Sequence, residues 1–165
     1  MQIDNRTILY KLAEEFDLKR DSTEERLKLQ KIIYLLQAYG LKLGYGFSWY
    51  RYGPYSQDLV YDAYTVLGSE RNNYHQAAGT WNFSESCLQK FEEFNNICSG
   101  ILQSAEQLEL VASVDFICTT WYPDAKRSEI VELLKKYKKQ FFNGQQIIDD
   151  MICKAFDIRS RLRKN

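Results

Sequence analysis

The chain has 165 residues, of which 45% are apolar and 15% aromatic, and its 22 basic residues balance its 22 acidic residues. This length and composition favour one folded domain over residues 1–165 and argue against disorder, and the zero net charge argues against a protein that coats nucleic acid. No apolar run is long enough to span a bilayer, and residues 1–5 do not resemble a secretory signal. We therefore expect a cytoplasmic protein that does not bind membranes.

The first two helices are predicted by apolar periodicity and by a capping pattern. Residues 5–19 carry apolar side chains along one helical stripe. A capping box, in which Ser22 accepts a hydrogen bond from the amide of Glu25, opens a second helix that ends at Gly40. Residues 32–36 are apolar without a break, which indicates that the second helix is central and buried on most sides.

An aromatic segment follows at residues 47–52, and its composition favours a short strand. Gly53 and Pro54 then indicate a turn, because proline disfavours helix at the residue before it. Ser56 is a suitable N-cap for a third helix that runs to about residue 67.

The polar segment 68–83 is predicted to be a loop, in which residues 80–83 alternate and could pair with the 47–52 strand. Four helices follow, at about residues 88–101, 104–121, 127–139 and 144–163. The sequence therefore predicts a mainly α protein, a single-domain bundle of six to seven helices with a small β element. The order of elements over residues 22–83 resembles that of a winged helix-turn-helix.

Residue types that carry chemistry are sparse in this chain. The cysteines form no close pair and the chain has one histidine, His75, so we expect no metal site, no disulfide and a core position for each cysteine. His75 lies in a polar segment without a nucleophile motif, and residues 44–46 lack the rest of a phosphate-binding loop. Asp115, within an apolar helix, is predicted to make a core hydrogen bond or to lie on a narrow exposed stripe. The sequence predicts no catalytic residue and no cofactor, and hence a protein that is not an enzyme.

Basic side chains are concentrated in residues 124–165, near the predicted ends of two helices. Cations at a helix C-terminus offset the helix dipole, which is the simplest interpretation of this pattern. The alternative is a phosphate-binding patch whose possible contacts are Lys135, Lys136, Lys138, Lys139, Arg159, Arg161 and Arg163.

Two segments, KLQKIIYLLQ at residues 28–37 and FSWYRYGPYS at residues 47–56, resemble the KLQKLxYLxQ…YGPYS pattern of YwgA-like bacterial proteins. Those proteins are similar in turn to the Panacea (SocA-like) antitoxin domain and to small phage-associated proteins. Leu108-Glu109 with Ser113 resembles a later and weaker feature of the same families. Panacea domains more often have an aliphatic residue after the proline, where this chain has Tyr55, so the resemblance favours the YwgA-like branch.

The resemblance implies a mostly helical domain that works by binding other proteins, and in Panacea antitoxins the domain neutralises a toxin by direct contact. We therefore expect a non-enzymatic interaction module, either antitoxin-like or part of an anti-phage defence system, whose partner is a toxin or a defence-system subunit. The aromatic residues between 45 and 64 are expected to divide between core and interface. The candidate partner-binding residues are Lys28, Lys31, Trp49, Tyr50, Tyr52 and Tyr55.

The alternative function is a winged-helix-like nucleic-acid-binding protein. Its recognition helix would be residues 56–67, which carry Asp58 and Asp62 but no lysine or arginine. Phosphates would repel these carboxylates, so we expect only weak and salt-sensitive binding of nucleic acid.

Overall fold

The computed structural model describes residues 4–138 and 145–164, and it confirms a mainly α fold with one small β-hairpin. Two strands, β1 (Ser48–Tyr50) and β2 (Gly53–Tyr55), form the antiparallel sheet. The described helices are α1 (Asn5–Glu15), α2 (Thr23–Tyr39), α3 (Gln57–Tyr64), α4 (Arg71–Ala78), α5 (Glu85–Cys98), α6 (Ala105–Phe116), α7 (Arg127–Tyr137) and α8 (Gln145–Arg163).

Serine caps begin several of these helices, as their spacing in the sequence predicts. Ser22 accepts a hydrogen bond from the amide of Glu25 at α2, and Ser56 and Ser104 cap α3 and α6 in the same way. Each cap satisfies one of the free amides in the first helical turn.

The core is centred on α2 and α6, which pack against each other, while α8 packs on α6. Residues 32–36 of α2 are all buried, which confirms the prediction of a central helix. Helix α6 is buried from Leu108 to Phe116, so polar residues along it must find partners inside the protein. Within the described residues, no helix combines the length and apolar character needed to cross a bilayer.

Asp115 is the most fully paired of these polar residues. Its carboxylate is 1% exposed and accepts hydrogen bonds from Tyr34 (2.7 Å), from Arg159 (3.1 Å) and from Arg163 (2.9 and 2.7 Å). Burial alone would raise the pKa of Asp115, but the hydrogen bonds from Arg163 and Tyr34 outweigh it and hold the pKa below its ordinary value. The prediction of a satisfied core hydrogen bond is therefore confirmed.

Residues 68–83, all of which the structure describes, differ from the predicted loop. They contain α4, in which Ala78 is buried and which packs on α1, with a 2.9 Å hydrogen bond between Tyr10 of α1 and His75 of α4. The asparagines and glycines of this segment favour turns locally, but packing on α1 stabilises a helix instead. Residues 80–83 form no strand. In a winged-helix domain the β-hairpin called the wing follows the recognition helix, whereas here α4 follows α3.

The cysteines are distributed differently from the predicted core positions. Cys98 is buried, whereas Cys87 and Cys118 are half-buried. Cys153 is exposed, with its sulfur 3.2 Å from the guanidinium of Arg127, so the core prediction is wrong for this residue. Residue 153 lies on the outer side of α8, and the helical periodicity places its neighbours Ile152 and Ala155 in the core instead.

Candidate protein-interaction surface

The hairpin β1–β2 places the aromatic motif on the surface of the bundle. Ser48 pairs with Tyr55 and Tyr50 pairs with Gly53, so the chain reverses at residues 51–52, two residues before the predicted turn. The strand partner of β1 is therefore β2, and the predicted pairing with residues 80–83 is wrong. A two-residue reversal closes a hairpin more readily than a long loop does, because the entropy of loop closure is smaller.

Gln30 of α2 binds the end of this hairpin. Its side-chain amide donates to the carbonyl of Ser56 (2.9 Å), and its carbonyl oxygen accepts from the amide of Ser56 (3.0 Å). Ser56 in turn caps α3 by accepting from Leu59. This two-point contact joins the two sequence motifs directly and positions both the hairpin and α3 on α2.

Lys31 is buried beneath the hairpin, which corrects the prediction that it lies exposed to a partner. The side chain is 1% exposed, and its ammonium group donates to the carbonyl of Pro54 (2.6 Å). Burial lowers the pKa of Lys31 to about 7; the charge of Glu109 opposes this change and that of Lys138 adds to it. Lys31 therefore has a structural role, in which it joins α2 to the hairpin through the carbonyl of Pro54.

Lys138 is also buried beneath the hairpin, so the prediction that it contacts phosphate is wrong. It is 1% exposed and donates to the carboxylate of Glu109 (2.6 Å) and to the carbonyl of Arg51 (3.3 Å). The ammonium group also lies 5.0 Å from the centroid of the Trp49 ring. Lys138 is close to other lysines in the sequence, which suggested a surface position. Its pairing with Glu109, 29 residues earlier in the chain, keeps it buried.

Gly53 brings the backbone of the hairpin close to Ser113 of α6. It has a φ of 85°, and a β-carbon at this position would lie 2.5 Å from the Oγ of Ser113. That hydroxyl is buried and, within the described part of the chain, has no hydrogen-bond partner. Only glycine combines this backbone conformation with so little space.

Gly53→Val is expected to lower the free energy of unfolding by on the order of 1–3 kcal/mol, because the new side chain meets both strain and Ser113. Urea denaturation followed by circular dichroism measures the change. Gly46→Val is the matched control, since a β-carbon there would meet nothing within 4 Å. Equal stability of the two variants would contradict the assigned packing of the hairpin.

Trp49 belongs to a cluster of rings between the hairpin and the body of the protein. Its ring lies 4.7 Å from Trp121, 5.8 Å from Phe116 and 6.2 Å from Tyr137. Trp121 closes a π-helical turn at residues 117–121 that continues α6, and such turns are frequent at functional sites. The half-buried Trp49 therefore anchors the hairpin, and its neighbours Trp121 and Tyr137 are site residues that the sequence did not indicate.

Tyr50 and Tyr55 form a second aromatic group on the other side of the hairpin, which we call the tyrosine pair. Their rings lie 5.2 Å apart, and Tyr50 is 63% exposed while Tyr55 is half-buried. Tyr52, in the reversal, is half-buried with the guanidinium of Arg51 at 5.4 Å from its ring. Exposed tyrosine on a fixed backbone offers a large amphipathic contact area at a small loss of entropy.

Lys28, the other lysine of the first motif, lies on a different part of the surface. It pairs with Glu25 (3.2 Å) and lines a small cleft with Phe16, Leu102 and Gln103. The structure therefore does not bring Lys28 to the tyrosine pair.

The remaining basic residues of the predicted phosphate patch differ in their environment. Lys139 lies outside the described residues. Lys135 pairs with Glu132 (3.2 Å), and Lys136 lies 5.2 Å from the ring of Tyr137, both near the C-terminus of α7. These positions fit the interpretation that the cations offset the helix dipole.

Arg159 and Arg163 are directed inward, where both bind Asp115. Arg161 points outward, with Asp157 at 3.9 Å. The three arginines of α8 therefore do not form one continuous patch, because two of them are engaged by a buried carboxylate.

Comparison with known proteins identifies no relative of this chain. No protein-family model, no curated protein and no solved structure matches it.

Proposed function

We propose that this protein is a non-enzymatic interaction module of the cytoplasm, and that the hairpin binds another protein through the tyrosine pair. The partner would be a toxin or a subunit of an anti-phage defence system, as the resemblance to YwgA-like and Panacea domains implies. Contact with a partner would bury Tyr50 against an apolar surface, with Tyr52 and Tyr55 at its edge.

The observation that carries this proposal is an exposed aromatic side chain on a firmly anchored hairpin. Three separate parts of the sequence that carry the resemblance meet at this hairpin: Gln30 and Lys31, residues 53–56, and Glu109 with Ser113. Anchoring from beneath leaves the outer side chains free for contact and reduces the entropy lost on binding.

Tyr50→Ala is expected to weaken the partner complex by at least tenfold, because an aromatic residue at the centre of an interface carries much of the binding energy. Tagged protein would first capture the partner from the native host, and mass spectrometry would identify it. Titration of the purified partner then compares wild type, Tyr50→Ala and Tyr61→Ala. Tyr61 of α3 is the matched control, since it is 62% exposed against 63% for Tyr50.

The affinity for the partner should change little between low and physiological salt, because the contact is mainly apolar. Equal losses for Tyr50→Ala and Tyr61→Ala, or no loss for either, would contradict the hairpin as the binding surface. A tight, sequence-selective complex with duplex DNA that persists at physiological salt would instead support the nucleic-acid alternative.

A further inference from the structure

The hairpin has two edges, and hydrogen bonds from α2 satisfy the backbone along the edge of β2. Pro54 has no amide hydrogen to offer a further strand, and its carbonyl accepts from the ammonium group of Lys31 (2.6 Å). Ser56 directly follows β2, and both its amide and its carbonyl bond to the side chain of Gln30. Native proteins block sheet edges by such devices, because an unpaired edge is a template for another strand.

The register of the hairpin determines which backbone groups of β1 point to its outer edge, the side that faces away from β2. In an antiparallel pair of strands, residue pairs that exchange hydrogen bonds alternate with pairs that do not. Trp49 pairs with Pro54, and because proline has no amide hydrogen, this is a pair without hydrogen bonds. The amide and carbonyl of Trp49 therefore point to the outer edge, whereas those of Ser48 and Tyr50 point to β2.

The outer edge of β1 is open, in contrast to the edge of β2. Among residues 4–138 and 145–164, the backbone of residues 47–50 makes no hydrogen bond other than those with β2. Strand β2 packs on α2 and α6, whereas β1 packs mainly on β2. The flanking side chains of Ser48 and Tyr50 are exposed, so another chain has access to this edge.

Building on the proposed function, on which this inference rests, we propose that the partner adds an extended segment to the outer edge of β1. The amide of Trp49 donates to a carbonyl of that segment, and the carbonyl of Trp49 accepts from one of its amides. An apolar side chain of the segment lies beside Tyr50 and covers its exposed ring. The occupant is thus an extended stretch of the partner protein that has an apolar residue next to Tyr50 and no proline where it pairs with Trp49.

Amide hydrogen exchange, followed by two-dimensional ¹H–¹⁵N NMR, tests the outer edge in the protein alone. The amide of Trp49 should exchange at least tenfold faster than that of Tyr50, because only the Tyr50 amide bonds to β2. Tyr50 is the internal control, since it belongs to the same strand. A Trp49 amide as strongly protected as that of Tyr50 would show that the outer edge is already covered, and would overturn the proposal.

The same measurement on the complex with the purified partner tests strand addition directly. The amide of Trp49 should become at least tenfold more protected in the complex. Replacement of Trp49 by its α-hydroxy acid analogue keeps the indole ring but removes the N–H, and it should weaken the complex about fivefold, as expected for the loss of one hydrogen bond. The same replacement at Trp81 is the matched control, because the amide of Trp81 bonds to Ala78 outside the hairpin and its loss should leave the affinity unchanged.

Tyr50→Ala separates strand addition from the proposed function. If Tyr50→Ala weakens the complex but the Trp49 amide gains no protection and the Trp49 analogue binds normally, the hairpin remains the binding surface and strand addition is overturned. If Tyr50→Ala has no effect, the proposed function fails and strand addition fails with it. Sedimentation equilibrium of the protein alone tests the other occupant, since a dimer that the Trp49 analogue dissociates would assign the edge to a second copy of the chain and overturn the proposal.

Discussion

Asp115→Asn is expected to lower the free energy of unfolding by about 3 kcal/mol, because it removes the charge that two arginines and a tyrosine surround. Arg159 and Arg163 are about one-third exposed, so water can partly solvate them in the variant. This partial solvation places the expected loss at the lower end of the range for broken buried ion pairs. Urea denaturation at neutral pH measures the change.

The control for Asp115→Asn is Asp157→Asn, which removes an exposed carboxylate on α8. Asp157 is 3.9 Å from Arg161, and its side chain is 68% exposed. Removal of the Asp157 charge should change the free energy of unfolding by less than about 0.5 kcal/mol. A similar small change for Asp115→Asn would show that the arginines do not depend on this carboxylate.

Lys31→Met is expected to change how stability depends on pH. An unfolded lysine has a pKa of 10.5, whereas that of Lys31 in the folded protein is about 7. Between these values the unfolded chain holds more protons, so the free energy of unfolding of the wild type rises with pH. Relative to Lys31→Met, the wild type should gain about 2–3 kcal/mol between about pH 6 and about pH 9.

Denaturation curves at several pH values for wild type and variant measure this difference, and groups common to both cancel. Lys28→Met is the control within the same motif, since Lys28 pairs with Glu25 near the surface. The free energy of unfolding of Lys28→Met should change with pH in parallel with that of the wild type over the whole pH range. If Lys31→Met also runs parallel, the ammonium group of Lys31 remains charged beneath the hairpin throughout.

The buried charged residues also help to explain the position of the hairpin on α2 and α6. Lys31, Glu109 and Lys138 lie beneath it, and each lysine donates to a backbone carbonyl of residues 51–54. An apolar side chain would pack in many registers, whereas an ammonium group inside a protein requires its acceptor. These contacts therefore hold the hairpin against α2 and α6 in the observed position.

Most helices could be predicted from the sequence because their signals are local. The caps at Ser22, Ser56 and Ser104 and the apolar run at 32–36 each depend on residues within about one or two helical turns. Segment 68–83 was the exception, because α4 is stabilised by α1 and not by its own composition.

The sequence by itself determined the helical class, the caps and the aromatic composition of the hairpin. The tertiary structure decided which charged residues are exposed, and it reversed the prediction for Lys31 and Lys138. The physical reason is that a charge is buried only where a distant partner compensates its loss of hydration. Glu109 lies 29 residues from Lys138, and Asp115 lies 48 residues from Arg163, so only the packing of α6 against its neighbours brings these pairs together.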